Sequence, residues 1–377
     1  MTRFFVVFLL IVAVLFTVEL LPWTQQVLVI PFTTGIATLA VALMQTWDSE
    51  IAAQGKIIWN TANGFAVSIE AGCNGVEAGI ILAAAMLAFP ASWVQKLLGI
   101  AIGLVTVQVL NLVRIVTLFY LGQWHPTAFE WAHLYIWQAL IMLDVLVVFM
   151  VWLRWVAQRS SLPRPGVAPG RDPLRQFLLR VLFWLPVCFA AWYYFSILFT
   201  IPLAALVDAL MTWSFPKLVE QVAQQGNALT VVTAVPAQAA VKGVARMGTL
   251  VFEVNPLKYG YCVPLYTALL LATPASEAAK VIGWLVAMLL LTAVQVFGIA
   301  TEILKTLAFQ LTPEAQALLG FTSLGYEGLA LAYQFGFLIL PPAVPIVLWF
   351  VQFRPAVSGL LDRKSHPGVE RGPSVDG

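Results

Sequence analysis

Long, nearly uncharged apolar runs constrain this chain more than any other feature of its sequence. Phe4–Leu21, Leu97–Leu121 and His133–Trp155 are each long enough to cross a bilayer, which takes about 20 residues of helix, or roughly 17 at the short end. Asn74–Pro90 is shorter, and Glu77 is its one charge. Val27–Met44 is apolar but interrupted by threonines and a glycine, so it either spans or lies at the interface. Hydrophobic residues make up 61% of the 377 residues and charged ones 10%, with a mean hydropathy of +0.89. Soluble domains carry roughly 45–50% and about 25% respectively. Lipid must therefore be the solvent for most of this surface, and an all-α polytopic membrane protein is expected.

The remaining charge sets the organisation. Arginines gather between Arg154 and Arg180 and again from Arg354 to Arg371. Lys/Arg excess in short loops marks the cytoplasmic side. The Arg/Pro-rich stretch 157–176 is therefore read as a cytoplasmic linker between membrane domains 1–156 and 177–353, and 354–377 as a disordered cytoplasmic tail. The apolar run after Arg3 is too long for a signal-peptide core and lacks a small-x-small cleavage site, so it is read as an uncleaved first span. The net charge of +2 forms no extended basic surface, and no nucleic-acid partner is expected. Three well-separated cysteines give no disulfide scaffold and no Cys-rich metal site; neither metal nor cofactor is expected.

The second half repeats the layout of the first. Phe177–Thr200 corresponds to the first span and Ile201–Trp213 to the ambiguous segment. Strand-like alternation occurs at Phe65–Glu70 and Leu250–Val254, shortly before Cys73 and Cys262. The helix headed by Lys96 then aligns with that headed by Lys280, pairing Gly99 with Gly283, Asn111 with Gln295 and Ile115 with Ile299. The expectation is two tandem similar helical bundles, about four spans each, with short extracytoplasmic strand-like segments. Four crossings fit if Val27–Met44 and Ile201–Trp213 do not fully span, and they place Cys73, Arg114 and His133 near the outer face.

These three residues carry chemistry. A cysteine opening a helix feels the positive end of its dipole, which favours thiolate. Arg114, about 10 Å below the outer end of its helix, is costly at that depth and functional by default, unless it merely snorkels or pairs with Glu77 or Asp144. A guanidinium beside a thiol lowers its pKa and can stabilise an oxyanion; Asn111, one turn earlier, can orient it or donate to substrate. Imidazole is the usual base for a thiol; His133 is preferred over His125, which precedes Pro126 in a loop, and His366 lies in the tail. Asn74, Gly75, Glu77 and Asn111 are substrate-binding or supporting residues, with the glycines leaving room for a peptide. In the second half Gly298 aligns with Arg114 and Leu329 with His133, so Cys262 has neither partner; Glu302 and Lys305 are expected to pair with one another.

The Cys73-Asn74-Gly75 turn after a short strand, the "NLVRI" helix around Arg114 and the "EWAHLYIWQ" helix start at His133 resemble the exosortase/archaeosortase family over about Phe4 to Trp155. The wording is most similar to the exosortase H subgroup, and the second half resembles the membrane protein accompanying that subgroup. The resemblance implies a cysteine transpeptidase of the bacterial inner membrane, its site facing the periplasm. Its partners would be membrane lipids and secreted proteins with a PEP-CTERM-like tail: a short motif, one transmembrane helix and a basic end. Cys73 would form a thioester resolved by an acceptor amine or water, with His133 relaying the proton and Arg114 holding the oxyanion. The rival readings are a parallel-repeat transporter with a midplane site and a non-enzymatic scaffold.

Overall fold

The computed structural model describes residues 2–160, 172–241, 244–311 and 313–361. Most of the linker, the tail beyond Leu361 and His366 lie outside these residues. The chain is a helical membrane protein with two small antiparallel sheets. Among the described residues, eight helices are long and apolar enough to cross a membrane, because few charges interrupt the apolar runs.

The first half comprises α1 (Thr2–Leu20), α2 (Pro22–Met44, with one π-turn), a sheet of β1 (Ile51–Gln54), β2 (Ile57–Asn60) and β3 (Ala66–Ser68), then α3 (Val76–Ala88), α4 (Trp93–Trp124) and α5 (Pro126–Arg159). Ser92 opens α4 with a capping box to Gln95, which satisfies orphan donors at that end. The second half repeats this order with α6 (Pro173–Tyr194), α7 (Ser196–Ser214), a sheet of β4 (Val219–Gln225), β5 (Ala228–Val241) and β6 (Val244–Val254), then α8 (Cys262–Ala272), α9 (Glu277–Phe309) and α10 (Ser323–Gln352). Even the π-turns recur, at Ala132–Ile136 in α5 and Phe335–Ile339 in α10.

Several boundaries differ from the sequence reading. The 13-residue α3 is about 20 Å long, whereas α2 is the longer helix. Yet α2 does not fold back along α1. It starts beside the end of α1, where Gln25 Nε2 donates to the Glu19 carbonyl at 2.9 Å, passes Asn74 at Thr33, and buries Met44 with Ile51, Ile58 and Phe119 beneath the sheet. The run Phe177–Thr200 breaks at Phe195, where a new helix begins. Only Ala66–Ser68 of the first alternating stretch pairs as a strand, while Leu250–Val254 ends the longer β6.

The sheets lie at one end of the helices. At the other, Trp152 Nε1 donates to the Gln95 carbonyl at 3.0 Å, Lys96 Nζ to the Leu87 carbonyl at 2.6 Å, and Arg154 pairs with Asp172 at 2.6 Å. One apolar core joins the halves through α1, α3, α5, α6, α8 and α10. Phe16 meets Phe335 at 6.1 Å and Tyr135 meets Trp192 at 5.9 Å. Among such contacts, Asn255 Nδ2 donates to the Tyr135 hydroxyl at 3.0 Å.

Candidate active site

The turn between β3 and α3 carries Cys73. Gly72 and Gly75 sit at φ of 81° and 78°, a left-handed region in which a side chain is strained. A Cβ on Gly75 would also lie 2.8 Å from Gln108 Nε2. The helix proper starts at Val76, so Cys73 lies in the turn ahead of it rather than at its first position. Asn74 Oδ1 accepts from the Val76 amide at 3.0 Å and its Nδ2 donates to Thr33 Oγ1 at 3.2 Å. Asn74 thus ties the turn to α2. Buried Glu77 accepts the Gly72 amide at 2.7 Å. Glu70, whose carbonyl accepts from the Cys73 amide, is itself held by Lys56 at 2.5 Å and Ser68 at 2.7 Å; these two donors keep its carboxyl below the usual range.

Two long helices bring partners to the thiol. Arg114, 1% exposed, donates from Nη1 to the Gly72 carbonyl at 2.9 Å and from Nη2 to Cys73 Sγ at 3.5 Å. It pairs with neither Glu77 nor Asp144. Asp144 Oδ2 has no hydrogen-bond partner among the described residues. His133 Nε2 lies 3.1 Å from Cys73 Sγ, and its ring stacks on Phe129 with centroids 5.5 Å apart. His125 stays apart, its Nδ1 accepting from the Ala128 amide at 3.2 Å. Asn111 does not reach Arg114; its Nδ2 faces Gln108 at 3.5 Å, and its Oδ1 has no partner among the described residues.

Electrostatics correct the thiolate expectation. Burial pushes the Cys73 thiol above its ordinary value; Arg114 pulls it down, and Glu77 and Glu70 add to the rise. Burial thus favours the thiol over the thiolate, and a nucleophilic role would call for a base. His133 is within hydrogen-bond reach for that proton.

Cys73, His133 and Glu77 open onto a cavity of about 200 Å³. Its other wall comes from the second half: Lys258, Tyr261, Phe337, Leu338 and Pro342. Leu338 is close enough that a Cβ on Gly72 would lie 2.9 Å from its Cδ2. No periodicity links these residues, which meet only across the two halves. The expected Glu302–Lys305 pair does not form; Glu302 pairs with Lys258, and Lys305 Nζ lies 5.0 Å over the Tyr333 ring. Cys262 is fully buried, its Sγ 3.2 Å from the Tyr259 carbonyl. Among the described residues no group of His, Cys, Asp and Glu is arranged to hold a metal ion.

No curated protein and no solved structure matches the chain. Residues 3–152 match the family described as Transmembrane exosortase (Exosortase_EpsH), and residues 171–356 match the one described as Exosortase H-associated membrane protein. One multi-pass membrane chain thus carries a match to a transmembrane exosortase in its first half and a match to an exosortase H-associated membrane protein in its second.

Proposed function

We propose that the first half is a cysteine transpeptidase or peptidase that cleaves C-terminal sorting tails from secreted proteins. The observation that carries this reading is the meeting of Cys73 Sγ with His133 Nε2 at 3.1 Å and Arg114 Nη2 at 3.5 Å, from a turn and two separate helices. Nucleophile and base are within reach, and a third group can bind developing negative charge.

In this mechanism His133 Nε2 takes the thiol proton as Sγ attacks the scissile carbonyl. The oxyanion forms beside the Arg114 guanidinium. It collapses as the C–N bond breaks, and His133 returns the proton to the leaving amine. The thioester on Cys73 is then attacked by an acceptor amine or by water, whose proton passes to His133 and back to the departing thiol. The tail is a short motif, a transmembrane helix and a basic end, as in PEP-CTERM-like proteins. Lysine and arginine gather at the end of the helices away from the sheets, which supports a cytoplasmic linker and a periplasmic site in the inner membrane.

Cells expressing a tailed reporter test this. Cys73→Ala should abolish tail removal while the protein still inserts, whereas Cys262→Ala should be nearly silent. Tail removal by the Cys73→Ala variant would sink the mechanism.

A further inference from the structure

We infer that the groove between α1, α2, α3 and α4 holds a phospholipid with a primary-amine headgroup, its ammonium on the Glu19 carboxylate. The site is separate from the Cys73 cavity and does not depend on the sorting-tail reading.

The groove encloses about 780 Å³. Its walls are apolar, with Leu15 on α1, Phe32 on α2, Ile80 and Ala83 on α3, and Leu104 and Val105 on α4. Three polar side chains line it: Glu19, Thr24 and Gln108. Glu19 and Thr24 are only 5% and 6% exposed. Yet Glu19 Oε2 and Thr24 Oγ1 have no hydrogen-bond partner among the described residues. Glu19 Oε1 has a long contact from Gln25 Nε2, at 3.4 Å. Among the described residues no lysine or arginine pairs with Glu19, and Arg114 is turned to the Gly72 carbonyl and Cys73. A carboxylate without a cation at such depth is costly and marks a binding site by default.

The depth suits a headgroup. Glu19 lies about 24 Å along α1 from Arg3 at 1.5 Å per residue, against roughly 30 Å for the hydrocarbon core of a bilayer. Trp23, next to Thr24 in the chain, is 68% exposed, as befits a side chain at the membrane–water interface. The far end of α3 meets the start of α1, where Phe89 and Phe4 lie 6.3 Å apart. Leu15, Ile80, Ala83 and Leu104 are therefore on the membrane side of Glu19, where an acyl chain would run.

A lipid ammonium offers Glu19 both charge and N–H donors, and the phosphate can accept from the Thr24 hydroxyl and the Gln108 amide. A choline head has the charge but no N–H. An anionic lipid brings no cation and meets Glu19 as a like charge. The lipid is a resident ligand, since Gly79, Ile80 and Ala83 line the groove whereas Glu77 and Ala78 face the Cys73 cavity on the other side of α3. Gly75 borders both, so the lipid backs the Cys73 turn from behind.

The test is native mass spectrometry of the full chain in detergent, with phosphatidylethanolamine, phosphatidylcholine and phosphatidylglycerol of identical acyl chains added in turn. The wild type should retain phosphatidylethanolamine about tenfold or more tightly than the other two. Glu19→Gln should erase that preference, leaving weak retention of all three. Val105→Trp, which fills the chain slot away from the carboxylate, should weaken all three together. Equal retention of the three lipids by the wild type would overturn the inference, and that comparison holds even if a variant fails to insert. An unchanged preference in Glu19→Gln would overturn it too. So would a photo-crosslinker at Phe32 that captures the helix of a tailed reporter in cells in place of lipid, because the groove would then dock a polypeptide.

Discussion

Replacing Arg114 with lysine separates charge from geometry. The guanidinium reaches two acceptors at once, the Gly72 carbonyl at 2.9 Å and Cys73 Sγ at 3.5 Å. Lysine offers one nitrogen and no planar fork, so it can hold the turn or face the thiol, but not both. The lost bond to a charged donor is worth about 1.5–3 kcal/mol. Loss of one oxyanion donor typically costs about 10²–10³ in turnover, about 2.7–4 kcal/mol. Arg114→Lys should therefore slow tail removal by about a hundredfold or more, while membrane abundance stays near normal because the buried charge is retained. Pulse-chase of a tailed reporter, following loss of the precursor, gives the rate directly. A rate within about twofold of wild type would refute the reasoning, since it would show that charge alone suffices and no donor was lost from the transition state.

Truncation after Ser161 removes Lys258, Leu338 and the rest of one cavity wall. The fragment should process poorly alone and recover when the second half is supplied as a separate chain; full activity of the fragment alone would make that wall dispensable. Gly298→Ala drives a methyl into the Tyr259 ring and should cost about 1–3 kcal/mol in stability, read as a lower melting temperature in detergent. Alkylation of Cys73 by a neutral maleimide should keep accelerating above pH 9, because burial raises the thiol beyond its ordinary value of 9.0. A plateau below pH 8 would mean a resting thiolate.

Much of the fold was legible because lipid imposes a simple rule: an apolar run without charge becomes a helix whose backbone is satisfied internally. That rule finds α4 and α5 nearly whole. It says less about α2, whose 23 residues are long enough to span but whose path is decided by burial of Met44 against the sheet. The strands β1, β2, β4 and β5 escaped notice, being set by pairing partners rather than by strong alternation. At the site, residue chemistry singled out Cys73, Arg114 and His133, which the structure brings together. Asn111, expected to orient Arg114 or to donate to substrate, faces Gln108 and not Arg114, whose fork is occupied by the turn. The Lys258–Glu302 pair spans 44 residues of sequence, and the Asn255–Tyr135 bond spans 120. Contacts of that range leave no local pattern.

The central claim is that Cys73 carries the acyl group. Purified protein mixed with a tailed reporter, quenched in acid and digested, should yield the Cys73 peptide joined to the reporter's new C-terminus. Hydroxylamine should release that adduct, as expected of a thioester, and His133→Ala should abolish its formation. Tail cleavage with no adduct on Cys73, or with the adduct on Cys262, would contradict the account.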